Sequence, residues 1–262
     1  MRYEHILLST HGGLGTVTMN RPERRNALSE AHMRELVDAF ARLGNDEDVR
    51  AIILAANGPV FCSGHDFADM VERDLDAMRE LLTVCTELMR TMQRVPQPVV
   101  ARVHGIATAA GCQLVASADL AVAAEEASFA APGGRGGWFC HTPMVAIARS
   151  VGRKRALEMA FTGDSIDART ALAWGLVNRV VPREQLDEET ERLALAASRG
   201  SRASKALGKQ ILYDTIELDV DAAYESAVEA MASSALTDDG REAMLSFLEK
   251  RPGVYPPGGR RR

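Results

Sequence analysis

Hydrophobic and polar positions along the chain follow two alternating rhythms. Residues 5–10 and 14–19 alternate loosely on either side of Gly12-Gly13, which predicts a β-hairpin. The period changes after Ser29, a suitable helix cap, where Met33, Leu36, Val37 and Phe40 share one helical face as far as Gly44-Asn45-Asp46. Residues 50–55 read as a short buried strand and 58–64 as a turn. A helix over 75–94 carries Met78, Leu81, Leu82, Cys85, Leu88, Met89 and Met92 on one face and stops before Pro96 and Pro98. A strand over 98–103, a small-residue helix and a strand over 119–123 come next. This alternation predicts an α/β architecture with crossover units. Residues 130–142 form a loop containing Gly133, Gly134, Gly136 and Gly137. Beyond Pro143, helices are predicted over 144–150, 153–161, 167–173, 184–199, 204–216, 220–235 and 238–250, interrupted by strand-forming 176–181. The last three helices have no strands between them, so their apolar faces need a core or a neighbouring subunit to cover them.

The small-residue helix is the most informative stretch. His104-Gly105-Ile106-Ala107-Thr108-Ala109-Ala110-Gly111-Cys112-Gln113 places small side chains where a strand gives way to a helix. Such a junction lets a ligand approach the backbone and directs unpaired N–H groups at it. A developing oxyanion is a suitable occupant. Gln113 is the one long polar side chain in this apolar helix.

Composition narrows the range of partners. The chain has 262 residues, 46% hydrophobic and 26% charged, with a net charge of −5. That balance gives no reason to expect nucleic acid, and no apolar run is long enough to span a membrane. The basic run Arg260-Arg261-Arg262 follows Pro256-Pro257-Gly258-Gly259 and reads as a flexible tail. The first residues lead directly into a strand, so no signal or transit peptide is expected. Cys62, Cys85, Cys112 and Cys140 lack metal-site spacing and read as reduced thiols in a cytoplasmic protein, with no metal.

Asn20-Arg21-Pro22 with Arg25-Asn26-Ala27-Leu28, then Phe61-Cys62-Ser63-Gly64-His65-Asp66, the small-residue helix, and Phe161-Thr162-Gly163-Asp164 through Gly175-Leu176-Val177-Asn178 together resemble the crotonase (enoyl-CoA hydratase/isomerase) superfamily. Within it, Ser63-Gly64-His65-Asp66, residues 107–117 and Phe139-Cys140 before Thr142-Pro143 are similar to the enoyl-CoA hydratase domain-containing protein 3 group. The resemblance implies a spiral of ββα units over 1–200 and a helical oligomerisation region over 201–262, assembled as homotrimers or dimers of trimers. It implies an acyl-CoA ligand from fatty-acid or acyl-CoA metabolism, with coenzyme A entering as part of the thioester and no permanent cofactor. The backbone N–H groups of His65 and Ala110 map to the pair that holds the thioester oxygen. Arg24, Arg25, Ala27, Ser63, Asp66 and Phe67 map to the ligand-binding surface, and Phe247 and Lys250 to positions that reach a neighbour's CoA.

The departures are chemical. Superfamily hydratases deliver water with two glutamates, and the corresponding positions here are Gln113 and Gly133. An amide cannot transfer a proton near neutral pH. Gly133 would then leave space in the site, and restoring glutamate at both positions would raise hydration. Candidate replacements are the His65 side chain as an acid or base, and Cys140 activated by His141 at a helix start. Each has a plain alternative: a His65 ring turned aside, a packed Cys140 and a loop His141. Asp66 and Asp69 read as caps or solvated charges, and Glu125 and Glu126 as solvated. An enzyme of the hydratase, isomerase or decarboxylase type, a non-catalytic acyl-CoA binding protein and an oligomeric scaffold all remain open.

Overall fold

The computed structural model describes residues 3–255; the arginine tail lies outside the described residues. In chain order the elements are β1 (Ile6–His11), β2 (Leu14–Met19), α1 (Glu30–Asn45), β3 (Ala51–Ala56), β4 (Val60–Cys62), α2 (Leu75–Arg94), β5 (Val99–Val103), β6 (Ile106–Thr108), α3 (Ala110–Ser117), β7 (Leu120–Ala124) and β8 (Ser128–Ala130). They continue with α4 (His141–Val151), α5 (Arg153–Thr162), β9 (Ile166–Asp167), α6 (Ala168–Trp174), β10 (Arg179–Val181), α7 (Leu186–Ala197), α8 (Arg202–Thr215), α9 (Val220–Ala235) and α10 (Asp238–Leu248).

Two sheets are built in step. One has the order β1-β2-β3-β5-β7-β10, the other β4-β6-β8-β9. Each of the successive pairs β3β4, β5β6 and β7β8 gives one strand to each sheet and is followed by a helix. That repetition makes the ββα spiral. All β3 positions are buried, as a parallel strand covered on both faces requires. α1 and α2 bury Met33, Leu36, Phe40, Leu81, Leu88 and Met92 against one face. α7 covers the other, with Leu186 and Ala194 over Ile53, Val100 and Val122. Ser29 caps α1 by accepting from the His32 N–H, as its sequence position predicts.

Several expectations change. Residues 58–64 are not merely a turn, because β4 lies within them. A separate strand, β6, precedes the small-residue helix, and another, β8, ends on the first residue of the loop 130–142. These strands are three residues long, too short to show a two-residue period. α4 starts at His141 rather than 144, since Pro143 in the first turn surrenders an N–H that has no helical partner there.

α8 is fastened to the core by a polar cluster. Lys209 Nζ donates to the carbonyls of Met92 and Gln97 at 2.9 Å and pairs with Asp119 at 2.7 Å. The Tyr213 hydroxyl donates to the same carboxylate at 2.8 Å. α9 and α10 differ: Val228, Met231, Phe247 and Leu248 are exposed along them.

Candidate active site

Two backbone turns meet at the centre of the molecule. The first, Ser63-Gly64-His65, leaves β4; the second, Ala109-Ala110-Gly111, starts α3. A Cβ on Gly111 would lie 2.2 Å from the Cys62 carbonyl oxygen. One on Gly64, where φ is +93°, would lie 3.0 Å from Ala109 Cβ and 3.5 Å from the Ala110 nitrogen. Only glycine permits this approach. Ala109 itself adopts φ 52° and ψ −119°, a strained conformation for a residue with a Cβ. It is held by its N–H to the Ala130 carbonyl and by the Gln113 N–H to its own carbonyl.

The N–H groups of His65 and Ala110 find no partner among the described residues. Around His65, the Leu28 N–H donates to the Gly64 carbonyl and the Asp66 N–H to the Leu28 carbonyl, which fixes the turn and passes over the His65 amide. Ala110 occupies the first turn of α3, where N–H groups lack helical acceptors. Both turns line a cavity of about 650 Å³.

The cavity wall includes the predicted residues Arg24, Arg25, Ala27, Ser63, His65, Asp66, Phe67, Ala110, Gly133, Cys140 and His141. Arg24 and Arg25 come from a loop organised by Asn26. The buried Asn26 amide donates to the carbonyls of Asn57 and Val60 and accepts from the Arg21 N–H. The Asp66 carboxylate binds Arg21 and Arg24, both at 3.1 Å, and accepts from the Ala68 N–H. Burial acts to raise its pKa, but the two guanidinium groups outweigh that and hold it below the usual range. Asp66 is thus a fixed anion that orients the arginines. Asp69 accepts from the Glu30 N–H and pairs with Arg73, while Glu125 and Glu126 pair with Arg169 and Arg183.

Three predicted site residues stand outside this wall. Gln113 is buried and accepts from Cys85 Sγ at 3.9 Å, turned toward α2. Phe247 is exposed on α10 and Lys250 lies just beyond that helix, so neither contributes to the pocket of its own chain.

The proposed chemical replacements fare poorly. Burial pushes His65 down to about 4, against a small opposing effect of the Leu28 backbone, so its ring is neutral and only weakly basic near neutral pH. Neither ring nitrogen has a partner in hydrogen-bond geometry among the described residues, and Thr108 Oγ1 is buried without one as well. Burial raises the Cys140 thiol, which contradicts thiolate activation. The His141 ring lies 5.1 Å from that of Phe139. Gly133 does not leave a void: an added Cβ would meet the Trp138 carbonyl oxygen at 2.1 Å and Cys140 Sγ at 2.7 Å.

Leu82, Thr108, Trp138, Phe139 and Thr142 also stand in the wall, a place their sequence positions did not assign to them. A signal existed for Trp138, a large aromatic side chain in a glycine-rich loop.

Known proteins share this sequence pattern and fold. The enoyl-CoA hydratase/isomerase family pattern matches residues 9–256. The mitochondrial enoyl-CoA hydratase domain-containing protein 3 of Rattus norvegicus is 44% identical over 244 residues, 93% of this chain and 81% of that protein. A Mycobacterium smegmatis enoyl-CoA hydratase structure superposes with a TM-score of 0.93 at 46% identity, covering 96% of this chain and 99% of the other. The human enoyl-CoA hydratase domain-containing protein 3 structure gives 0.92 at 41% identity, over 96% and 100%. The expectation of a cytoplasmic protein is corrected here, since the similar rat protein is named as mitochondrial. Targeting segments are removed after import, so the composition of the folded part carries little record of the compartment.

Proposed function

The chain belongs to the enoyl-CoA hydratase/isomerase family, and from that premise we propose that it binds an acyl-CoA thioester and polarises its carbonyl with the N–H groups of His65 and Ala110. The observation that carries this is the close backbone approach of the two turns, with both amides unpartnered at the cavity. Two fixed donors aimed at a developing oxyanion are each worth ~3–4 kcal/mol in the transition state. Arg24 and Arg25, at the exposed part of the wall, suit the phosphates of CoA. Phe247 and Lys250 would reach the CoA of a neighbouring chain in a trimer or a dimer of trimers.

Proton transfer is the weak part of the site. Glutamine and glycine occupy the two positions that the superfamily resemblance assigns to glutamates. Loss of one acid–base group typically removes roughly 10²–10⁴ of rate. The proposed activity is therefore thioester binding and polarisation, with slow hydration. Calorimetry tests it directly: a short acyl-CoA binds and the free acid does not. Absence of acyl-CoA binding would contradict the proposal, and hydration of a short enoyl-CoA at an ordinary enzymatic rate would contradict its chemical part.

A further inference from the structure

The segment between Pro132 and Cys140 folds back on itself. The Trp138 N–H donates to the Gly133 carbonyl at 2.9 Å, and the Gly136 N–H reaches the carbonyls of Pro132 and Gly133 at 3.2 and 3.1 Å. Gly137, with φ +88°, makes the reversal possible. The absent side chain at position 133 leaves room for the Trp138 carbonyl, so the glycine and the tryptophan belong to one device. The loop's charged residue, Arg135, turns away to Asp164 at 3.3 Å.

What the loop presents to the cavity is aromatic. The Trp138 indole centroid lies 6.3 Å from the His65 ring and 6.0 Å from the Phe67 ring, the latter edge-on. It remains 45% exposed and forms part of the cavity wall. His65 supplies one of the two carbonyl donors through its backbone, and the indole packs beside its ring in the wall of the same cavity. Arg24 and Arg25 supply the cationic part of the same wall, where the phosphates of CoA are proposed to bind, and Trp138 with Phe139 an apolar part.

We propose that Trp138 is the specificity-determining residue of this site, walling the acyl end so that it favours a short, apolar acyl chain. This rests on the acyl-CoA reading above. An indole face excludes water from the first carbons and blocks the path of later ones. Each methylene that finds no apolar cover gives up its contribution to binding, and those beyond the wall also meet steric resistance.

The test is a ladder of saturated acyl-CoAs with four, eight and twelve carbons, titrated calorimetrically into the full chain and its Trp138→Ala and Trp138→Phe variants. Circular dichroism and sedimentation establish that each variant is folded and assembled as the wild type. The wild type is expected to favour the four-carbon over the twelve-carbon ligand by about tenfold. Trp138→Ala should erase or reverse that preference and Trp138→Phe should keep most of it. A second readout uses a Trp174→Phe background, where the emission of Trp138 alone should shift when the four-carbon ligand binds. An unchanged ladder in a folded Trp138→Ala variant would overturn the proposal, as would an emission that ignores bound ligand. Failure of every acyl-CoA to bind the wild type would instead defeat the acyl-CoA reading.

Discussion

A Cβ at position 133 would lie 2.1 Å from the Trp138 carbonyl oxygen, and that distance revises what a restored glutamate would do. From sequence alone, glutamates at 113 and 133 should raise hydration. The structure predicts no such gain: the 133 side chain has no entry to the cavity without breaking the turn, and Gln113 faces Cys85. Gly133→Ala should lower stability by ~1–3 kcal/mol through overpacking, read as a reduced urea midpoint. A Gly133→Ala protein as stable as the wild type would contradict this packing. His32 carries a second prediction. It is fully buried, its Nδ1 lies 3.2 Å from the Ala27 carbonyl, and burial lowers its pKa from 6.5 to about 4. The unfolded chain therefore takes up the proton first. The contribution is complete above pH 6.5 and is lost as pH falls toward 4, amounting to about 2 kcal/mol by pH 5. His32→Gln should lose correspondingly less between pH 7 and pH 5 in urea titrations, whatever its absolute stability. An equal loss in both proteins would exclude His32 as the source.

Elements differ in how openly the sequence announces them. α2 was legible from end to end because its twenty residues repeat an apolar face many times and proline follows. β4, β6 and β8 were not, because three residues cannot establish a period, yet they carry the turns that form the site. His65 and Ala110 were singled out through family resemblance together with their small neighbours, and the structure leaves both amides unpartnered at the cavity among the described residues. Gln113 was legible as an unusual polar residue but its direction was not, since a pattern along a helix does not say which neighbour each face meets. Trp138 was missed because its contacts with His65 and Phe67 are long-range. The loop carrying Arg24 and Arg25 offers a test at this scale. Asn26 makes three hydrogen bonds that fix it, two of them to carbonyls otherwise left without that donor. Asn26→Ala should cost ~2–3 kcal/mol in stability. It should also weaken acyl-CoA binding more than binding of the acyl-pantetheine fragment lacking the nucleotide phosphates. Equal weakening of both ligands would remove the loop from phosphate recognition.

At the scale of the molecule, the described chain has a well-filled centre and an uncovered end. Val228, Met231, Phe247 and Leu248 are 65%, 78%, 82% and 74% exposed. Apolar surface of this kind favours association. Sedimentation velocity should therefore find the wild type at a multiple of the single-chain mass, and Met231→Asp with Phe247→Asp should shift it toward the monomer. A wild type that is monomeric at micromolar concentration would refute that expectation. The central claim concerns the thioester, and vibrational spectroscopy reads it without needing turnover. With a short acyl-CoA labelled with carbon-13 at the thioester carbonyl, isotope-edited infrared difference spectra of the complex should show that carbonyl stretch at lower frequency than in water, because two fixed N–H donors polarise the bond. A bound ligand whose carbonyl stretch stays at or above its frequency in water would contradict the assignment of His65 and Ala110 as its donors.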